Sequence, residues 1–265
     1  QITDFRIEVL VNDDASTDGT TEVIADYAAR YPHIIKPIFH KENQYSKGLS
    51  HGLPVFRKAR GRYIAYCEGD DYWTDPRKLQ IQVDFLEANP DYVITYHDAY
   101  TFNEDGVIKP QQLTGKFRRD ASRLELQQAR AISTLTTVFR NVLTEMPAEL
   151  LSTRMVDLCW WSLLGAFGKG RFIEEIRPAA YRVHKGGIFS MQAARVQQHM
   201  TLHTYYCLSR YYQRLGNQEL NEYFLMQVCR MSMAAISPVR KVQAFLLLIG
   251  NHGATLLKRL NPVQA

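Results

Sequence analysis

The sequence lacks most of the features that would take it out of the ordinary globular class. Its four cysteines (Cys67, Cys159, Cys207 and Cys229) lie far apart, with no C-x-x-C pair among them. That argues against a structural zinc site or a disulfide framework, and fits reduced thiols in a cytoplasmic, reducing compartment. Long apolar runs are also missing. The longest, AFLLLIG at 244–250, falls short of the roughly 18 residues a membrane-spanning helix needs. There is no internal repeat and no low-complexity segment, which excludes repeat arrays and tracts too polar to fold.

What is present fits one large domain, or one domain with an appendage: 265 residues, 46% hydrophobic and 22% charged. The net charge of +5 is uneven. From Ser190 onward there are eight Lys and Arg against two Glu, a balance of +6, so the preceding part is close to neutral. A basic tail behind a neutral body suits an anionic surface; a solvated helix face is the plainer alternative.

The segment FRIEVLVND (5–13) reads as a strand covered on both faces, and ASTDGTTEVIADYAARYP as a capped helix that stops at Pro32. IIKPIF (34–39), RYIAYCEGD (62–70), YVITY (92–96) and STLTTVFR (133–140) read as further strands. Leu79, Gln82, Val83 and Leu86 share one helical stripe, MVDLCWWSLLGAFGKG reads as a helix ended by glycine, and RFIEEIRPAAYRVHKGG as short strands. Alternating strands and helices imply an α/β sheet with helices on both faces, followed from about residue 190 by a wholly helical region.

Two acidic clusters sit at strand ends. Asp13 and Asp14, in VNDDASTDGT, follow the first strand. Ligands of open α/β sheets bind beyond the carboxyl ends of strands, and a carboxylate there can accept hydrogen bonds from a nucleobase or ribose. A capping turn explains Ser16 to Gly19 but leaves the doubled Asp unexplained. The second cluster, CEGDDYW (67–73), crowds Glu68, Asp70 and Asp71, whose like charges repel. A site with few carboxylates suits Mg²⁺ or Mn²⁺ when phosphate oxygens complete the shell. An exposed acidic turn is the alternative, but two acidic strand ends opening on one crevice favour a metal–nucleotide site.

Together, EVLVNDDASTDGT, GRYIAYCEGDDYWTDPRKL and AAYRVHKGG resemble family-two glycosyltransferases of the GT-A fold, above all bacterial members that build lipopolysaccharide, capsule and other exopolysaccharide. The likeness covers about residues 1–190. It implies a GT-A (Rossmann-like), mostly parallel sheet as a catalytic domain over 1–189, and a helical C-terminal region over 190–265. It places Asp13 or Asp14 on the nucleotide base. The family's D-x-D motif becomes Glu68-Gly69-Asp70, with Asp71 following, so Glu68, Asp70 and Asp71 are the implied metal ligands, and Asp70 also contacts the nucleotide. The resemblance puts a catalytic carboxylate at Asp157. It puts His184 in the metal shell or on phosphate, Arg182 and Lys185 on phosphate charge, and Lys47 on the nucleotide. The sequence departs from the pattern in Glu68 for Asp and in Val156 ahead of Asp157. Family members also carry a strand and helix of the type V-S-V-x-x-P-x-Y-N before the VNDD strand. Its absence leads us to expect a fragment of a longer protein lacking one wall of the base pocket.

The implied activity is that of an inverting, metal-dependent glycosyltransferase. It takes a sugar nucleotide, a UDP-sugar above others, and passes the sugar to a glycan or lipid-linked acceptor, with Mn²⁺ or Mg²⁺ as cofactor and no nucleic-acid partner. A sugar nucleotidyltransferase would show an early glycine-rich basic loop, which is not seen. A degenerate, non-catalytic binding module stays open. The basic, apolar stretch RKVQAFLLLIGNHGATLLKRL fits either a peripheral contact with the inner face of the plasma membrane or packing on the catalytic domain.

Overall fold

The computed structural model describes residues 1–47, 52–184, 186–187 and 191–235. Strand β1 (Val9–Asp13) and strand β2 (Ile35–Phe39) pair in parallel around helix α1 (Thr20–Arg30), forming one βαβ unit. Helix α2 (Gly52–Lys58) leads to the short β3 (Tyr63–Ala65), and helix α3 (Lys78–Ala88) to β4 (Tyr92–Tyr96). Then come β5 (Ala99–Asn103), β6 (Gly106–Lys109), α4 (Arg123–Gln127), β7 (Val138–Arg140), α5 (Val156–Leu164), β8 (Lys169–Phe172) and β9 (Ala179–Arg182). Helices α6 (Ala194–Arg214) and α7 (Gln218–Ala235) follow.

The second sheet runs β3-β7-β4-β8 and the third β6-β5-β9. This is a mixed α/β architecture, with more antiparallel pairing than expected. Parallel pairs (β1/β2, β4/β8, β5/β9) and antiparallel pairs (β3/β7, β4/β7, β5/β6) are equal in number. The cause is β7, which inserts antiparallel between β3 and β4.

Three strand expectations change in extent. The first strand starts at Val9 rather than residue 5, and it is only partly covered: Val9 is 40% exposed, and Asp13 alone is buried. The third strand stops at Ala65, after which the chain turns into the acidic segment. Strand β7 begins five residues late because the threonines before it bond backward. The Thr136 and Thr137 hydroxyls donate to the Ser133 and Thr134 carbonyls at 2.7 and 2.8 Å, which holds a tight 3-10 turn in place of a ladder.

The main core joins the sheet to both C-terminal helices. Ile94 and Tyr96 of β4 and Phe139 of β7 pack with Trp160, Trp161 and Leu164 of α5 and with Leu208, Tyr212 and Phe224. Helix α5 is anchored by polar contacts inside this apolar mass. The Trp161 indole donates to the Ile132 carbonyl at 3.1 Å, and the Ser162 and Tyr212 hydroxyls lie 2.9 Å apart. Gly165, at the end of α5, is required by close approach: a Cβ there would fall 2.6 Å from the Gln127 nitrogen. So α5, which carries Asp157 in its first turn, is fixed on three sides.

Candidate functional site

The acidic turn is stitched onto β9. Tyr72 and Ala180 exchange backbone hydrogen bonds at 3.2 and 2.9 Å, and the Thr74 hydroxyl donates to the Pro178 carbonyl at 2.7 Å. This register brings the 67–73 segment against the residues that follow β9. The Arg182 amide donates to Asp71 Oδ1 at 2.7 Å, and Arg182 Nε donates to the Asp70 carbonyl at 2.9 Å. The Arg182 guanidinium lies over the Phe102 ring, 4.7 Å from its centre, a cation–π contact. His184 Nε2 is 2.8 Å from Asp70 Oδ2.

Glu68 points the other way. The Thr134 hydroxyl donates to its Oε1, while Oε2 is buried without a hydrogen-bond partner. Asp71 Oδ2 is likewise buried and unpartnered. Buried carboxylate oxygens without donors are costly, and the charges respond. Burial pushes Glu68 up to about 7, helped by the nearby charges of Asp71 and Asp157 and opposed by the Thr134 hydroxyl. Burial also pushes Asp71 up to about 6, assisted by Asp70 and opposed by Arg182 and His184.

Asp157 is half-buried at the start of α5, and burial raises it to about 6 against the hydrogen bonds of the Leu158 and Asp157 amides. Its charge acts on Glu68 and on the partly buried Tyr66. Asp70, Asp71, Arg182 and His184 thus form one hydrogen-bonded group, and the charges of Asp71 and Asp157 both act on Glu68 beside it.

Asp13, Asp14 and Lys47 make their hydrogen bonds within the β1–β2 unit. Asp13 accepts from the Ser16 amide at 3.2 Å and the Thr21 hydroxyl at 2.5 Å; these bonds outweigh burial and hold its carboxyl below the usual range. Asp14 accepts from the Gln44 and Tyr45 amides at 2.7 and 3.0 Å, and the chain reverses after it through Ala15 at φ 61°. Lys47 pairs with Glu42. Asp14 thus clamps the 43–45 loop. Lys185 lies outside the described residues.

Two participants escaped the sequence reading. Thr134 reaches Glu68 from 66 residues away, and no local pattern marks it. Lys78, the first residue of α3, is fully buried under the acidic turn. Its ammonium donates to the Thr137 carbonyl at 3.2 Å and lies 4.4 Å from the Trp73 ring centre, and burial pushes it down to about 7. The signal that could have found it is its place in TDPRKL, a basic residue on the apolar stripe that begins with Leu79.

Among the described residues, no three His, Cys, Asp or Glu side chains converge into a ready-made metal cage. The donor set still fits Mg²⁺ or Mn²⁺ of the kind held by one or two carboxylates plus substrate phosphates. Asp70 and His184 present adjacent, half-exposed ligand atoms, and Asp71 carries an orphaned oxygen beside them. Glu68 fits that shell less well, since one oxygen is taken by Thr134.

The chain is 41% identical over 194 residues to an uncharacterised protein of Mycobacterium tuberculosis, covering 71% of this chain and 54% of that protein. It spans about half the length of that relative. It is 34% identical over 104 residues to the UDP-Glc:alpha-D-GlcNAc-diphosphoundecaprenol beta-1,3-glucosyltransferase WfaP of Escherichia coli, covering 39% of this chain and 38% of that enzyme. Among solved structures, S. aureus TarS 1-349 in complex with UDP-GlcNAc superposes with a TM-score of 0.54 at 16% identity, covering 80% of this chain and 66% of that one, a likeness of fold. The family model for glycosyl transferase family 2 matches residues 1–146, from β1 through the acidic turn to just beyond β7, and the chain belongs to that family.

Proposed function

We propose that this chain is the catalytic part of an inverting glycosyltransferase that moves a sugar from a UDP-sugar to a hydroxyl of a glycan or lipid-linked acceptor in cell-surface polysaccharide synthesis. The observation that carries the proposal is the gathering of Glu68, Asp71 and Asp157, three carboxyl groups raised to about 7, 6 and 6, beside the Asp70–His184 pair. A cluster of this kind is poised for a cation and a proton transfer rather than for stability. The named activity of WfaP, transfer from UDP-Glc to a diphosphoundecaprenol-linked sugar, supports the donor and acceptor classes.

In this reading Asp70 and His184 would hold Mn²⁺ or Mg²⁺, with Asp71 as a further candidate ligand. When bound, the cation offsets charge developing on the leaving diphosphate. Arg182, in contact with the Phe102 ring, offers its remaining guanidinium N–H groups to phosphate oxygens. Asp14 shapes the 43–45 loop for the nucleotide through the Gln44 and Tyr45 amides, with Asp13 fixing the turn ahead of it and Lys47 at the loop's end. Asp157 accepts the proton of the acceptor hydroxyl as the acceptor oxygen bonds to the anomeric carbon and the bond from that carbon to the diphosphate breaks. At neutral pH a carboxyl near 6 is mostly ionised yet basic enough to take that proton.

A lipid-linked acceptor would bring the reaction to the cytoplasmic face of a membrane. No helix among the described residues is long and apolar enough to cross one. The basic stretch that motivates peripheral contact, 238–265, lies outside the described residues.

The test is calorimetric titration with a panel of UDP-sugars, with and without Mn²⁺ or Mg²⁺, followed by donor hydrolysis and transfer assays. Cation-dependent binding with slow hydrolysis is expected. No UDP-sugar binding under any cation would overturn the proposal, and tight binding with no turnover would favour a non-catalytic module.

A further inference from the structure

A groove of about 460 Å³ runs between the 43–47 loop, the segment entering α5 and the first turns of α6. Its walls continue both halves of the proposed site. Tyr45 is the residue whose amide Asp14 holds, and Arg154 lies three residues before Asp157. The Arg154 guanidinium sits 4.9 Å from the centre of the Tyr45 ring, so it is oriented rather than free to wander. Across from it, His199 and His203 are one helical turn apart on α6 and share its face. His203 Nε2 contacts Cys207 Sγ at 3.8 Å, which fixes the ring. The Ser152 hydroxyl adds a further donor, and the buried Met200 adds an apolar floor.

Among the described residues no acidic side chain lines the groove, and α6 contains none along its whole length. An arginine, two imidazoles and a hydroxyl facing one space make a concave region suited to an anion with several oxygens: the Arg154 guanidinium supplies positive charge, and the imidazoles and the hydroxyl supply further N–H and O–H donors. The donor's own diphosphate is accounted for at Asp70, His184 and Arg182. The groove therefore calls for a second anion, beside the segment that leads into the first turn of α5.

We propose that this groove binds the phosphate or diphosphate ester of the acceptor, with Arg154, His199, His203 and Ser152 on its oxygens and Met200 against the group it esterifies. The proposal deepens the glycosyltransferase reading and rests on it. A phosphoryl group fixed here would hold the acceptor by one end while its sugar hydroxyl approaches Asp157. The phosphoryl chemistry is shared by soluble sugar phosphates and by lipid diphosphates, and the two can be told apart by experiment.

The test is calorimetry on the full chain in EDTA, so that the cation-dependent donor site does not take up diphosphate, with inorganic pyrophosphate and farnesyl diphosphate as probes. Both are expected to bind. Tighter binding of farnesyl diphosphate marks a lipid-linked source, and equal binding a soluble one. Arg154→Met, and separately the double substitution His199→Gln/His203→Gln, should each weaken both probes about tenfold or more, as expected for losing a charge-assisted contact. UDP-glucose binding with Mn²⁺ should be unchanged in the histidine double variant, whose residues lie on α6 rather than in the nucleotide loop. Failure of both probes to bind, or variants that bind them as the wild type does, overturns the groove assignment. Failure of UDP-glucose to bind the wild type overturns the glycosyltransferase reading instead, and the EDTA titrations report on the groove independently.

Discussion

Replacing Asp157 by asparagine should make this protein more stable and less active. Burial raises the Asp157 carboxyl from its ordinary 3.8 to about 6. A difference of that size corresponds to about 3 kcal/mol acting against the ionised form in the folded state. The sign follows from proton binding. Between about pH 4 and pH 6 the folded protein holds a proton that the unfolded chain has released, so stability drains away as pH rises through that window, and the full penalty stands above about 6. Asparagine removes the penalty, keeps an oxygen for the Leu158 amide, and costs part of the gain in burying its own amide. A net stabilisation of about 1–2 kcal/mol at pH 8 is expected, shrinking towards zero near pH 4. Transfer should fall by about 10²–10⁴, the range for loss of a general base. Urea unfolding of both proteins at pH 8 and pH 4, together with a transfer assay, reads all three numbers. The rival role for Asp157 is a favourable charge at the positive end of α5, for which asparagine would be destabilising at pH 8. A variant that is less stable at pH 8, or one that keeps near-wild-type transfer, would refute the reasoning; in the latter case the base must be sought elsewhere.

Other substitutions probe the rest of the site. Asp70→Asn removes the carboxylate paired with His184 at 2.8 Å; it should abolish Mn²⁺-dependent UDP-sugar binding in calorimetry while leaving the circular dichroism spectrum intact. Asp14→Ala frees the Gln44 and Tyr45 amides, which should cost about 1–3 kcal/mol. Hydrogen exchange at those two amides should accelerate and donor affinity should drop, and unchanged exchange would remove Asp14 from the clamp. Lys78 is pushed from 10.5 down to about 7, so the unfolded chain binds the extra proton between those values and stability should rise with pH across that window. Lys78→Met should therefore stabilise by about 1–3 kcal/mol at pH 6 and lose that gain towards pH 11. An equal effect at both pH values would show that packing against Trp73, not charge, governs the position.

The local elements were legible because their causes are local. The apolar stripe Leu79–Leu86 became α3, YVITY became β4, and the Trp-rich segment became α5 with Asp157 in its first turn. The doubled carboxylates at 13–14 and 70–71 stood out because like charges at a strand end have few structural uses. Extents were harder to read: the first strand is shorter and more open than a buried parallel strand, and the threonines before β7 replaced ladder bonds with their own.

What the sequence determined by itself is the order of the elements outside residues 99–127, the family motifs and the residue types that could carry the chemistry; β5, β6 and α4 came only with the structure. Only the tertiary structure decided which of them meet. His184 reaches Asp70 across 114 residues, and the Arg182 amide reaches Asp71 across 111. Thr134 occupies one oxygen of Glu68, and the two carboxylates of the first cluster turn to their own loops instead of the acidic turn. Hydrophobic periodicity fixes which face of an element is buried, but the partner of a polar side chain depends on the register between elements distant in sequence. Here the Tyr72–Ala180 bridge sets the register that brings Asp70 and Asp71 to Arg182 and His184.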